Sequence, residues 1–249
     1  MLDLRAWREW RNWIPAECPG CERRTSGQGL CPACQRRLPS VMDHPHCPVC
    51  AHPWQIGGCP DCLRRTPAFD RVVAAFSYSG LGEQLIKDYK FAGHLSLAHL
   101  LASRLADEVQ DTLAGSGGAV DWVVPVPAHQ DSLRNRGFSP PAEVARILAR
   151  RLRLPYRLDL LRRVREGPRQ GTLGRAARLQ APEGAYACEQ LRHGRSRDLS
   201  GQRVAVIDDV LTTGSTLHAV AQVLKAAGAV QVQGWVLARA AVNPDQEDS

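Results

Sequence analysis

The run Val204–Thr216, Val-Ala-Val-Ile-Asp-Asp-Val-Leu-Thr-Thr-Gly-Ser-Thr, gathers more chemically useful side chains than any other part of the chain. Asp208 and Asp209 offer adjacent carboxylates, which accept hydrogen bonds from sugar hydroxyls or hold a magnesium ion that does so. Thr212, Thr213, Gly214, Ser215 and Thr216 follow as a small, hydroxyl-rich loop. Loop amides and the N-terminus of a following helix can hold a phosphate dianion. Twin acids left unpaired beside a buried strand carry a desolvation cost, so the pair implies a ligand more than a solvated turn. Together these residue types, at this spacing, point to recognition of a sugar phosphate.

Such a site needs a strand to present the acids and a helix to present the loop. Val204–Ile207 are four apolar residues in a row, the pattern of a strand buried on both faces of a parallel sheet. Leu217–Ala227 are apolar at helical spacing. The acids therefore fall at the carboxyl end of a strand, where open α/β sheets bind ligands. Further strands are expected over Val72–Tyr78, Asp121–Val126, Leu158–Val164 and Val230–Ala238, with Arg203–Ile207 as the strand of the acidic run. Helices are expected over Leu81–Asp111, broken near Gly93, over Pro141–Arg153, entered through Ser139-Pro140, and over Ser215–Ala227, ended by Gly228. Ala114–Gly118 reads as a glycine-rich loop and His129–Arg136 as a polar one. Glu166–Glu183 has no clean period. Alternating strands and helices predict an α/β fold with a parallel, doubly wound sheet flanked by helices.

Eight of the nine cysteines stand as Cys-x-x-Cys pairs: Cys18/Cys21, Cys31/Cys34, Cys47/Cys50 and Cys59/Cys62. That spacing lets both thiolates of a knuckle reach one tetrahedral zinc, and eight thiolates complete two four-cysteine sites. Closed sites have no position for substrate, so both zinc ions should be structural. Pairing is either consecutive or interleaved. Gaps of nine and eight residues inside the first and last pairs, against twelve between them, favour the consecutive double ribbon. This segment holds few large aliphatics and needs the metal to fold. His44, His46 and His52 stand among the ligands as bystanders, and Cys188 stands alone as a packed or partly exposed thiol. Trp7, Trp10 and Trp13, with Leu4 and Ile14, form one face of a short helix, expected to pack against the zinc module or the main domain, with a membrane-surface or partner contact as the alternative. The expected organisation is an N-terminal helix and zinc-ribbon module over 1–66, a main domain over 67–242 and an acidic tail over 243–249.

The chain has 249 residues, 44% hydrophobic and 23% charged, with a net charge of +7. That balance favours polyanionic partners such as phosphorylated metabolites or nucleic acid. No apolar run approaches the ~20 residues that span a bilayer. Charges at Asp3, Arg5, Arg8, Glu9 and Arg11 interrupt any signal-peptide core, so a cytoplasmic location is expected. Eleven arginines lie between Arg146 and Arg178, against Asp159 and Glu166 alone. Arg134, Arg136, Arg165, Arg169, Arg175 and Arg178 lie near glycines, where backbone and guanidinium can both approach a phosphate. Lys87 and Lys90 add charge near Phe91 and Gly93. Phe91, Phe138 and Tyr156 are the main-domain aromatics best suited to stack on bases.

All thirteen positions of the 204–216 run resemble the 5-phosphoribosyl-1-pyrophosphate (PRPP) signature of type I phosphoribosyltransferases. More specifically, several blocks together resemble the ComF family of competence-associated proteins. They are the eight-cysteine N-terminus, Lys90-Phe91-Ala92-Gly93, Pro125-Val126-Pro127 with Arg134-x-Arg136-Gly137-Phe138, Gln170-x-x-Leu173 with Arg178, and Asp208–Thr216. The resemblance implies a type I phosphoribosyltransferase-like sheet behind a zinc ribbon, and a part in DNA uptake and transformation. Carried over by position, Asp208 and Asp209 contact the ribose of PRPP, which arrives with magnesium. Thr212, Thr213, Gly214, Ser215 and Thr216 bind its 5-phosphate, and Arg134, Arg136 and Gly137 lie at the pyrophosphate loop. Lys90, Arg165, Arg169, Gln170 and Arg178 are further candidate contacts to phosphate or DNA. Ser139-Pro140 stands where the family commonly has Asn-Gln, and Ala181 where it tends to have Asn, so both departures remove amide side chains from the expected acceptor or pyrophosphate side. The implied activity is phosphoribosyl transfer. The alternative is a non-catalytic module that retains the site and binds single-stranded DNA or a partner such as a competence helicase.

Overall fold

The computed structural model describes residues 15–26, 29–54, 56–116, 119–164, 184–188 and 199–240. The expected tryptophan helix, Arg165, Arg169, Gln170, Arg178, Ala181 and the acidic tail lie outside the described residues. In the cysteine-rich part, β1 (Pro15–Glu17) pairs antiparallel with β2 (Arg24–Ser26). Two five-residue helices follow, α1 (Pro32–Arg36) and α2 (Pro60–Arg64), each entered from a cysteine followed by proline. Proline suits the first helical position because its missing N–H has no partner there.

The rest of the chain alternates. β3 (Arg71–Ser77) leads to α3 (Gly80–Phe91) and α4 (Leu97–Ser116), then β4 (Trp122–Pro125). Next come α5 (Gln130–Arg136), α6 (Pro140–Leu152), and the short antiparallel pair β5 (Leu161–Arg163) and β6 (Tyr186–Cys188). β7 (Arg203–Leu211), α7 (Ser215–Ala226) and β8 (Gln231–Arg239) complete the order. β3, β8, β7 and β4 hydrogen-bond in that order, and every pairing is parallel. Ile207 stands opposite Pro125 on one side and Trp235 on the other.

Both faces of the sheet are covered, as the continuous apolar runs require. One face packs Val73, Ala205, Ile207 and Trp235 against apolar residues of α3, α4 and α6, including Leu85, Leu101, Leu105, Val144 and Leu148. The other packs Val72, Val206, Val232 and Val236 against Leu217, Val220 and Leu224 of α7. Contact is close at Gly234, where an added Cβ would clash with Leu217 Cδ2. Glycine there lets the first turn of α7 lie directly on the backbone of β8. The cysteine-rich part is divided between the two faces. Cys18, Leu30, Cys34 and Leu38 join the first core, while Val41, Cys47 and Cys50 join the second.

Three expectations are corrected. His129–Arg136 is not a loop: α5 spans Gln130–Arg136, His129 Nδ1 accepts the amide of Asp131 at 3.2 Å, and Gly137 at φ 73 ends the helix. β7 runs past Ile207 to Leu211, because β8 extends alongside it and pairs Val210 with Ala238. α4 continues through Ala114 to Ser116, so the glycine-rich loop is shorter than its composition implied.

Candidate active site and metal centres

A cleft of about 770 Å³ opens at the carboxyl ends of β4 and β7. Its walls include Lys90 and Phe91 from the end of α3, Asn135 and Arg136 from α5, and Pro140 and Pro141 from the start of α6. Asp208 and Asp209 of β7 also line it, as do Thr212, Gly214, Ser215 and Thr216 of the loop entering α7. Three distant parts of the sequence thus meet around the twin acids.

The acids are held by local hydrogen bonds. Asp208 Oδ1 accepts the Asp209 amide at 2.8 Å, and Asp209 Oδ1 accepts the Val210 amide at 2.7 Å. Lys90 Nζ reaches Asp209 Oδ2 at 2.7 Å, with both side chains mostly buried. Burial, then the charge on Asp209, pushes Asp208 from the ordinary 3.8 up to about 7, although the Asp209 amide and Lys90 oppose the rise. A second positive group or a sugar hydroxyl at this point would favour the ionised form.

The loop is shaped for an anion. Gly214 precedes α7 at φ 74, a left-handed conformation that glycine adopts without strain. The N-cap Gly214 offers α7 no side-chain cap, and the amide of Ser215, the first helical residue, makes a long 3.4 Å bond to Thr213 Oγ1 in the loop. Thr213 Oγ1 and Ser215 Oγ lie 2.8 Å apart. Thr213 itself lines a small cavity on the far side of the loop, shared with Cys50, Cys62 and His218.

The remaining predicted residues separate. Arg136 lines the cleft with its guanidinium 5.0 Å from the centre of the Phe91 ring. Arg134 is exposed and stands 3.9 Å from the carboxylate of Asp131. Gly137 caps α5. Ser139 and Pro140, where the family commonly has amides, form the N-cap and first residue of α6, and Pro140 and Pro141 give the cleft an apolar wall. Of the candidate stacking aromatics, Phe91 is 71% exposed, while Phe138 and Tyr156 pack against the core.

The cleft residues not singled out from the sequence include Tyr78, His129, Asn135, Arg163 and Tyr186. Arg163 lies over the Tyr186 ring at 5.7 Å. Arg239 was also missed. It is 2% exposed and sits behind the loop, at the end of β8, directly after the apolar run Trp235–Ala238. A charge ending a buried strand on the ligand side of a sheet was the available signal.

The cysteines group consecutively. Cys18, Cys21, Cys31 and Cys34 form one cluster, and Cys47, Cys50, Cys59 and Cys62 the other. Sulfur separations are 3.7 Å for Cys21–Cys31, 3.8 Å for Cys47–Cys62 and 3.4 Å for Cys50–Cys59. A tetrahedral centre with zinc–sulfur bonds of about 2.3 Å places its sulfurs about 3.8 Å apart, so the residues fit the ion. The Cys31 amide donates to Cys18 Sγ at 3.2 Å, which further satisfies a charged thiolate. Without a cation, burial pushes Cys50 up to about 12. Crowded thiols of this kind ionise together around a metal.

A parallel sheet whose central strand delivers adjacent acids to a hydroxyl-rich loop and a helix start is the arrangement of phosphoribosyltransferase domains. The family model described as Phosphoribosyl transferase domain matches residues 139–248. The similarity to curated proteins extends over the cysteine-rich part as well. The chain is 30% identical over 214 residues to DNA utilization protein YhgH of Escherichia coli, covering 85% of this chain and 90% of that one. It is 29% identical over 215 residues to Competence protein F of Haemophilus influenzae, covering 85% and 91%. It is 25% identical over 218 residues to Competence protein ComFC of Bacillus subtilis, covering 84% of each. The chain belongs to the ComF family. No described helix is long and apolar enough to cross a membrane.

Proposed function

We propose that the chain binds PRPP in the β4–β7 cleft and transfers its phosphoribosyl group, as part of DNA uptake and natural transformation in the cytoplasm. One observation carries this reading: the twin acids, the hydroxyl loop and the start of α7 open into the same cleft. The 5-phosphate is held by the loop from Thr212 to Thr216 and the first amides of α7. Asp208 and Asp209 accept the ribose hydroxyls. Arg136, steadied over Phe91, faces the pyrophosphate, with Gly137 ending the helix that carries it. Arg134 lies further out and steers the anion inwards. Magnesium bound with PRPP would neutralise pyrophosphate charge, and Asp208 and Asp209 would be the residues to hold it.

Transfer displaces pyrophosphate from the anomeric carbon. The bond to the pyrophosphate oxygen breaks while the acceptor bonds to the same carbon, and positive charge grows on the ribose ring. The carboxylates beneath the ring favour that charge, and Arg136 favours the departing pyrophosphate. The ordinary test is thermal melting with PRPP, with and without magnesium. A ligand bound by the native state alone raises the melting temperature. No rise in the wild type would sink the reading.

A second reading is favoured by Phe91, the exposed aromatic at the cleft, with a guanidinium already stacked on it. Such a pair suits a base of single-stranded DNA. In this reading the site is a grip without turnover, and the cysteine module and arginines contact DNA or a competence helicase. Binding to oligonucleotides should then fall steeply with salt. Pyrophosphate release in the presence of DNA favours transfer; PRPP binding without release favours the grip.

A further inference from the structure

The loop that faces the cleft also has a back, and the back rests on the second cysteine cluster. Arg239 joins them. Its guanidinium donates to the carbonyls of Leu211 at 3.2 Å and Thr212 at 2.7 Å, where the loop leaves β7. It also donates to the Cys50 carbonyl at 2.9 Å and to Asp61 at 2.6 Å, and it reaches Cys50 Sγ at 4.0 Å. A further bond to the Ala240 carbonyl fixes it to the end of its own strand. Cys50 is a cluster residue, and Asp61 lies between Cys59 and Cys62 on α2. One planar, rigid donor fork therefore spans a metal centre and the first two carbonyls of the phosphate loop.

This connection is more than the burial of a charge. A guanidinium at 2% exposure needs a counter-charge, which Asp61 and the thiolates supply. The loop carbonyls, however, need no cation for their own stability. Holding them turns the peptide planes of Leu211–Thr212 and Thr212–Thr213, and so fixes where the Thr212 and Thr213 amides point. We propose that Arg239 is a positioning residue through which the second cysteine centre presets the phosphate loop for PRPP. The first cluster, packed against α3 on the other face of the sheet, has no such route among the described residues.

This inference rests on the PRPP reading, and one experiment separates the two. Titration calorimetry with magnesium and PRPP is run on the wild type, Arg239→Met, Asp61→Asn, the double variant and Val232→Ala. Denaturation midpoint and zinc content are measured alongside. Arg239→Met and Asp61→Asn should each weaken PRPP about tenfold or more while retaining two zinc ions per chain. The double variant should bind no worse than Arg239→Met, because Asp61 acts through Arg239. Val232→Ala, buried in the sheet away from the loop, should lower the midpoint and leave affinity unchanged. If Arg239→Met does not fold, Asp61→Asn at the edge of the network carries the test. Wild-type binding with unchanged affinity in Asp61→Asn overturns the proposal alone, as does loss of a zinc ion from Asp61→Asn. No binding to the wild type overturns the PRPP reading and this inference with it.

Discussion

Replacing Asp208 by asparagine should stabilise the ligand-free protein at alkaline pH and abolish its response to PRPP. Burial and the neighbouring Asp209 raise Asp208 from 3.8 to about 7. The native state therefore binds a proton that the unfolded chain has released between those values. For a raised group, stability is complete below the unfolded value and is lost as pH rises through the folded one. The rise from 3.8 to about 7 sets a ceiling of about 4 kcal/mol at pH 8. The carboxyl keeps part of its surface in the cleft, so solvent screening reduces this to about 2 kcal/mol. Asparagine retains the oxygen that accepts the Asp209 amide and loses only the charge. At about 2–4 °C per kcal/mol for a chain of this size, the variant should melt roughly 4–8 °C above wild type at pH 8. At pH 5, where the native carboxyl is protonated but the unfolded one is already ionised, the gain should shrink to about two-fifths of that. Melting followed by circular dichroism at both pH values tests this. A variant less stable than wild type at pH 8, or a gain equal at both pH values, would refute the electrostatic account. Saturating magnesium and PRPP should raise the melting point of the wild type and leave Asp208→Asn nearly unmoved.

Other expectations follow from the same geometry. Lys90→Met removes the cation 2.7 Å from Asp209 and should weaken PRPP about tenfold, read by calorimetry. His218 Nδ1 accepts the Ala68 amide at 3.0 Å, and burial, then Arg65, lowers its proton affinity. Its contribution should be complete above pH 6.5 and lost as pH falls through the lowered value, so melts of His218→Gln should show a shallower acid slope. Elemental analysis should find two zinc ions per chain, and Cys34→Ser should lose one together with several kcal/mol of stability in urea unfolding. Arg136→Met, which leaves the Phe91 face uncovered, should weaken PRPP more than it changes the melting point.

What could be read from the sequence depended on how local each signal was. The β7 acids and the loop after them lie within a dozen residues, and each type states its chemistry there. Cys-x-x-Cys spacing is equally local, and the gap lengths favoured the consecutive grouping that the structure shows. α5 was misread as a loop because Gln130–Arg136 is almost entirely polar, and its N-cap is a histidine rather than the usual hydroxyl or carboxamide. The stop of β7 was placed too early because two aspartates look like the end of a strand. Only the partner strand β8 supplies the hydrogen bonds that carry β7 on to Leu211. Lys90 was flagged for charge, yet its partner Asp209 lies more than a hundred positions away, beyond any periodicity argument.

Arg239 is the furthest case, since the carbonyl it holds on Cys50 is 189 positions away. Its placement also explains why a cysteine module of this size sits against this particular edge of the sheet. On the proposed reading the carboxyl end of β7 stays open on the cleft side for a phosphate, so the loop after it is covered on its back alone. A loop in that position relaxes among conformations unless something fixes it from behind, and every such conformation lowers the fraction competent to bind. Cys47 and Cys50 join the core beneath α7, and Arg239 with Asp61 extends that rigid body to the loop's first carbonyls. A closed metal site with no room for substrate can therefore still set affinity for one, by removing freedom from the backbone that would otherwise be lost on binding.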